Sequence, residues 1–240
     1  MPHYEKAPIT EAIIDIQVTG GPSATRSPIS KELIIKESGY STVEDMVRFQ
    51  GQITMGASMT TSAKQDPAGY RITSKDGKQI FQIREDGFTF SRLAPYQDWE
   101  IFSSEAKRLW GLYRSHAAEC QVTRVGLRYI NRLNIPGDCF ELKDYLHTHP
   151  ETSSEWPLRS YFMRLEIPQD DLQAVALITQ GLLPPPNDHL TSILLDIDVF
   201  RQQECPTEEE GLWKLFEQFR VRKNYLFESC IADPTRRLIS

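Results

Sequence analysis

"RVGLRYINRLNIPG", residues 124–137, alternates between two kinds of side chain. Val125, Leu127, Tyr129, Asn131, Leu133 and Ile135 fall on one face of an extended chain. Arg124, Gly126, Arg128, Ile130 and Arg132 fall on the other. A period of two is the signature of a half-buried strand, with one face against a core. The arginines recur every fourth residue, about 13 Å apart along a strand. That is too far for one small anion to bridge two of them. It suits carboxylates on adjacent strands, a protein edge or an extended polyanion, and Gly126 leaves room on that face for a close approach.

Suitable carboxylates exist elsewhere in the chain. EAIIDIQV (11–18) is a second alternating strand, with Glu11 and Asp15 on one face and Ala12, Ile14, Ile16 and Val18 on the other. LLDIDVF (194–200) places Asp196 and Asp198 on a common face. The first expectation is an ion-pair lattice joining Arg124, Arg128 and Arg132 to Glu11, Asp15, Asp196 and Asp198 across a sheet. The sharper one is a polar surface for an acidic partner. Asp196 and Asp198 stand about 7 Å apart along a strand. A magnesium ion there needs further oxygens, from Glu166 or Asp15, and no metal site is expected.

Outward from these strands the rest of the chain falls into order. Ser41-Thr-Val-Glu44 has the form of a capping box and predicts a helix through about 50. Strands follow at 52–62, 70–74, 78–85 and 88–93, punctuated by Asp76-Gly77 and Asp86-Gly87 turns. Asp98 caps a helix whose apolar stripe is Trp99, Phe102, Ala106, Leu109, Trp110 and Tyr113. Beyond the opening strand, Asp138 is a candidate cap for a short helix, and strands are expected at 160–167, 172–180 and 189–200. Thr207-Glu-Glu-Glu210 is a second capping box. It opens the longest helix, with Leu212, Leu215, Phe216, Phe219, Leu226, Phe227 and Cys230 on one face and Lys223 at the stripe's edge, its head in water.

The order of elements repeats. Residues 1–118 read β-α-β(4)-α and residues 119–240 read β-α-β(3)-α. The closing helices share a string, LWGLY at 109–113 and LWKLF at 212–216. The fold class is α+β: two pseudo-repeated halves of antiparallel sheet, each with a long closing helix laid on the oily face. This topology resembles the TATA-binding-protein-like and helix-grip folds, a likeness that does not fix function.

Composition bounds the function. The 240 residues are 40% hydrophobic and carry a net charge of −6. Nucleic-acid affinity rests on cation excess, so an acidic chain makes it unlikely. There is no membrane-length apolar run and no signal-peptide pattern at the start, so a cytoplasmic location is expected. Cys120, Cys139, Cys205 and Cys230 include no C-x-x-C pair; His147-Thr-His149 could offer two ligands if extended, but beside Pro150 surface histidines are expected. Nucleotide-binding glycine loops and hydrolase signatures are missing too. No catalytic residue, metal or cofactor is expected.

Several strings together resemble a sporadically distributed, functionally uncharacterised family of bacterial and archaeal proteins of about this length. They are API-x-EAI-x-DI (7–16), W-x-x-F-x-x-E (99–105) with Trp110 and Tyr113, R-V-G-L-R-Y-I-N-R-L (124–133), LDIDVF (195–200) and KN-x-x-FE (223–228) with Asp233. The patchy distribution of that family implies mobile or defence-associated genes. The leading expectation is a non-enzymatic protein-interaction module, antitoxin-like or defence-associated, with a protein partner. The alternative is a ligand-binding or enzymatic helix-grip protein whose cavity is lined by Tyr129, Asn131 and Asn224. A third is nucleic-acid binding through the sheet.

Overall fold

A computed structural model describes residues 4–22, 29–55, 59–117, 120–137, 141–153, 158–187 and 189–240, and of 49–55 and 59–64 the backbone only. The chain is α+β, with nine strands in antiparallel sheet and five helices among the described residues. The strands are β1 (Ile9–Thr19), β2 (Thr42–Met55), β3 (Met59–Thr73), β4 (Gln79–Arg84), β5 (Gly87–Leu93), β6 (Gln121–Pro136), β7 (Phe162–Gln169), β8 (Ala174–Leu183) and β9 (Leu190–Arg201). The helices are α1 (Lys31–Ser38), α2 (Trp99–Ser115), α3 (Leu142–Tyr145), α4 (Glu209–Cys230) and α5 (Asp233–Ile239). Among the described residues, no helix is long and apolar enough to cross a membrane.

By contacts the chain divides into two compact units. The first comprises Asp15–Ser91 and Asp98–Val122; the second comprises Met1–Ile14, Arg92–Gln97 and Thr123–Ser240.

In the first unit the strand order is β2-β3-β4-β5-β1. Its core is aromatic: Phe88 meets Trp110 edge-on at 5.8 Å, Trp110 stacks on Tyr113 at 5.2 Å, and Phe90 stacks on Phe102 at 5.3 Å. All six residues of the expected α2 stripe are buried, and the Asp98 side chain accepts from Ile101 N at 2.7 Å as the N-cap. The buried Tyr113 hydroxyl is satisfied by donating to Arg84 O at 3.0 Å.

The expected helix at 41–50 is instead strand β2, in register with β3 from Thr42 opposite Thr73. Glu44 does not fold back onto Ser41; it takes Arg71, its cross-strand partner, at 2.9 Å. Thr42, Val43, Val47 and Phe49 are β-formers, and pairing outweighed the capping pattern. The helix lies earlier, at α1, where Ser30 caps Leu33 N at 3.2 Å and Gly39 closes the end at φ 74°.

In the second unit the order is β1-β6-β9-β8-β7. β6 runs antiparallel to the start of β1, with Arg132 N donating to Pro8 O at 2.9 Å and Thr10 Oγ1 to Ile130 O at 3.0 Å. Val125, Leu127, Leu133 and Ile135 of β6, Ile193, Leu195, Ile197 and Val199 of β9, and Ala174, Ala176 and Ile178 of β8 are buried. The α4 stripe is buried with them, except Phe227, which is half-buried. Thr207 is not the cap of α4: the helix starts from Glu208, which makes no side-chain cap bond, and Glu209 and Glu210 favour its positive end by charge. Asp138 lies outside the described residues; α3 follows Glu141.

Candidate functional site

The two faces of β6 carry different chemistry. On its outer face Arg128 is opposite Asp198 in register, but its guanidinium leans diagonally onto Asp196, with Nε–Oδ1 at 2.8 Å and Nη2–Oδ2 at 2.5 Å. Paired contacts of this kind are the strong form of carboxylate recognition. The hydrogen bonds that Arg128 donates to Asp196 hold its pKa above the ordinary value, and the nearby Asp198 and Glu11 charges act the same way. Arg124 reaches Asp198 at 3.2 Å by lying over the Phe200 ring at 4.5 Å. Its path crosses Gly126, where a Cβ would stand 2.7 Å from Arg124 Nη1. The space left by that glycine is therefore filled by Arg124 itself. Arg132 donates to Ser192 Oγ at 3.2 Å and to Pro184 O at 2.6 Å. In the first unit, Asp15 takes Arg84 at 3.3 Å and the Thr89 hydroxyl at 2.8 Å.

The inner face holds a polar set in an apolar surrounding. Tyr129 is buried, and its hydroxyl shares a hydrogen bond of 2.8 Å with that of Tyr96. Burial, with Tyr96 beside it, pushes the Tyr129 pKa well above 10, so the phenol stays neutral. Over its ring, 3.6 Å from the centroid, sits Lys223 Nζ from α4. Lys223 is only 8% exposed and lies within the buried stripe, where the stripe-edge reading expected a head in water. It is one of the buried residues that run along α4, and it lies between Phe219 and Leu226. Among the described residues it has no carboxylate partner and no hydrogen bond; its neighbours are the Tyr129 ring and the Arg220 charge. Loss of hydration, reinforced by Arg220, pushes its pKa down to about 7.

Asn131 is buried two residues from Tyr129 and donates to Leu195 O at 2.9 Å. Across β9 in the same row stands Gln180 of β8, since Leu195 is opposite both. Gln180 is 0% exposed, and neither its amide nitrogen nor its amide oxygen has a hydrogen-bond partner among the described residues. Asn224 is half-buried and, next to Lys223 on the helix, is turned about 100° from it. The structure thus brings Tyr129 and Asn131 together on the core face, adds Lys223 and Gln180, and sets Asn224 to the side.

Sequence reasoning set Lys223 at the edge of its stripe and passed over Gln180, although both broke a pattern. Gln180 continues the inward parity of Ala174, Ala176 and Ile178, and Lys223 interrupts an apolar helix stripe. A polar residue at a core position is the informative exception.

A shallow open depression of about 420 Å³ lies at the other end of β8 and β9, lined by Gln173, Ala174, Phe200 and Arg201. Its guanidinium is committed to Leu172 O. Among the described residues, no three His, Cys, Asp or Glu side chains gather to hold a metal ion. No protein-family model matches the chain, and no curated protein is significantly similar to it.

Proposed function

We propose that the second unit is a small-molecule-binding module of the helix-grip kind, in which α4 closes a polar-lined interior over the sheet. The observation that carries this reading is the pair Lys223 and Gln180: both more than nine-tenths buried, both without a hydrogen-bond partner among the described residues, on two elements that share one core. Each unpaired buried polar group costs roughly 1–3 kcal/mol, and more for a charge. A ligand with an anionic or acceptor group for Lys223 and an amide-complementary edge for Gln180 recovers that cost. The repeat belongs to the same proposal; its support is the element order β1-α1-β2-β3-β4-β5-α2 followed by β6-α3-β7-β8-β9-α4. The likeness to TATA-binding-protein-like topology belongs to it too.

The test is native mass spectrometry of protein purified from its own host, together with a thermal-shift panel of small carboxylates and phosphates. A co-purifying mass, or a ligand-dependent rise in Tm that Lys223→Met abolishes, is the expected result. No bound mass and no panel effect, with Lys223→Met and Gln180→Leu simply more stable than the parent, sinks the reading.

A second reading, a protein-interaction module of antitoxin-like or defence-associated type, draws on the sheet edge. β7 is the last strand of its order, and Phe162 at its start is 74% exposed. The resemblance of the strings at 7–16 and 124–133 to a patchily distributed family also supports it. Nucleic-acid binding through the sheet has less support, because Arg124 and Arg128 already hold carboxylates.

A further inference from the structure

β7 pairs with β8 on one side, from Phe162 opposite Gly181 to Gln169 opposite Ala174, and among the described residues no strand follows it on the other. Bare edges of this kind invite a further strand unless the sequence blocks it. β7 reads FMRLEIPQ, with Phe162, Arg164 and Glu166 exposed on the outer face and Met163, Leu165 and Ile167 half-buried on the inner. Arg164 and Glu166 have no ion partner among the described residues, and their register neighbours on β8 are the uncharged Thr179 and Leu177.

This edge is complementary to itself. Two copies of β7 laid antiparallel about a twofold axis at Leu165 place Arg164 of each opposite Glu166 of the other. On the same outer face Phe162 meets Pro168, and on the inner face Met163 meets Ile167 and Leu165 meets Leu165. Directly opposed residues in an antiparallel pair share a face, so every contact is apolar with apolar or cation with anion. Moving the axis to Arg164 or to Glu166 sets like charges against each other. Moving it by half a residue pairs the outer face with the inner. One register is selected and its neighbours are penalised. Pro168, which has no N–H to donate, sits near the end of the ribbon where its loss matters least.

We infer that β7 is a homodimer interface, joining a second copy of this chain edge to edge through Arg164–Glu166 pairs about Leu165. A two-stranded contact of this length is small, so the dimer is weak and concentration-dependent. It uses the edge of β7 that faces away from β8, whereas the ligand reading above rests on Gln180 of β8, opposite Met163, and on Lys223 of α4.

The experiment is analytical ultracentrifugation of the full chain across a wide concentration range. The 27.6 kDa chain is expected to shift toward twice its mass as concentration rises. R164E alone, or E166R alone, puts like charges opposite each other twice per dimer and raises the dissociation constant about tenfold or more. The double exchange R164E/E166R restores opposite charges in the same register and brings the dimer back. Circular dichroism confirms that each variant is folded. A chain that stays monomeric at the highest concentration overturns the inference, as does a dimer indifferent to R164E, or a double exchange that dimerises no better than the single variants.

Discussion

At position 223 a lysine stands where the neighbours in its helix stripe, Phe219 and Leu226, are both buried and apolar. Its effect on stability follows from where it holds its proton. Burial pushes the folded-state pKa down to about 7, against about 10.4 for an unfolded lysine. Below about 7 both states are charged, and the cost of burying the ammonium is fully present. Between the two values the folded protein has lost a proton that the unfolded chain still holds, so stability rises with pH. The whole effect is on the order of a few kcal/mol. Other groups run the opposite way: burial raises the Cys205 and Cys230 thiols, so their unfolded forms ionise first and stability falls above their ordinary range. The isolating measurement is therefore a difference. Urea midpoints of the parent and of Lys223→Met, followed from pH 6 to 10, should converge as pH rises, the parent gaining relative to the variant. Parallel curves would show that Lys223 is ordinary and charged throughout. Parity put Arg124 and Arg128 on one face of their strand and Asp196 and Asp198 on one face of theirs, and the pairing of β6 with β9 brings the two sets together. The diagonal choice of partner was not legible in the sequence, because it depends on how side chains lean across the register.

Helices and strands differed in how openly they declared themselves. The α2 stripe recurs at helical spacing for four turns, and all of it is buried. β6 alternates over most of its length and lies where the period of two placed it, and β8 and β9 overlap the strands expected at 172–180 and 189–200. β2 was misread because S-x-x-E precedes apolar residues whose spacing fits a helix as well as a strand. Only its long pairing with β3 decides between them. The actual helix, α1, carried ordinary boundary signals in Ser30 and Gly39, but it is short and mostly exposed, so its periodicity is faint. These two segments make opposite predictions for the same kind of substitution. Asp98→Ala removes the acceptor for Ile101 N and should cost about 1 kcal/mol in a urea titration. Ser41→Ala removes only a 3.3 Å contact to Thr73 O and should fall within about 0.5 kcal/mol of the parent. A Ser41→Ala loss as large as that of Asp98→Ala would restore the helical reading of 41–50.

At the scale of the whole chain, an order of elements is not a list of neighbours. The sequence order runs β6, β7, β8, β9, whereas in space β6 is followed by β9, β8 and β7. What stands on the other side of β6 is the start of β1, from the opposite end of the chain. The second unit is therefore closed by segments that a cut at 118/119 removes. Residues 1–14 supply Pro8 O to Arg132 N, Lys6 N to Ile239 O, and Tyr4 Oη to Glu228 Oε1 at 2.7 Å. Residues 92–97 supply the Tyr96 hydroxyl to Tyr129. A fragment of residues 119–240 keeps β6–β9 and α3–α5 but bares one full edge of β6 and leaves the Tyr129 hydroxyl buried without its partner. Such an edge drives aggregation or partial order. The fragment should therefore be poorly soluble, or bind a hydrophobic dye and unfold without a cooperative transition. Co-expression with residues 1–118 should restore a soluble pair with the near-ultraviolet circular dichroism of the intact chain. A fragment that unfolds cooperatively by itself, with the Tyr129 environment intact, would mean that the repeat is an autonomous domain and that the amino-terminal segment is only an addition to it.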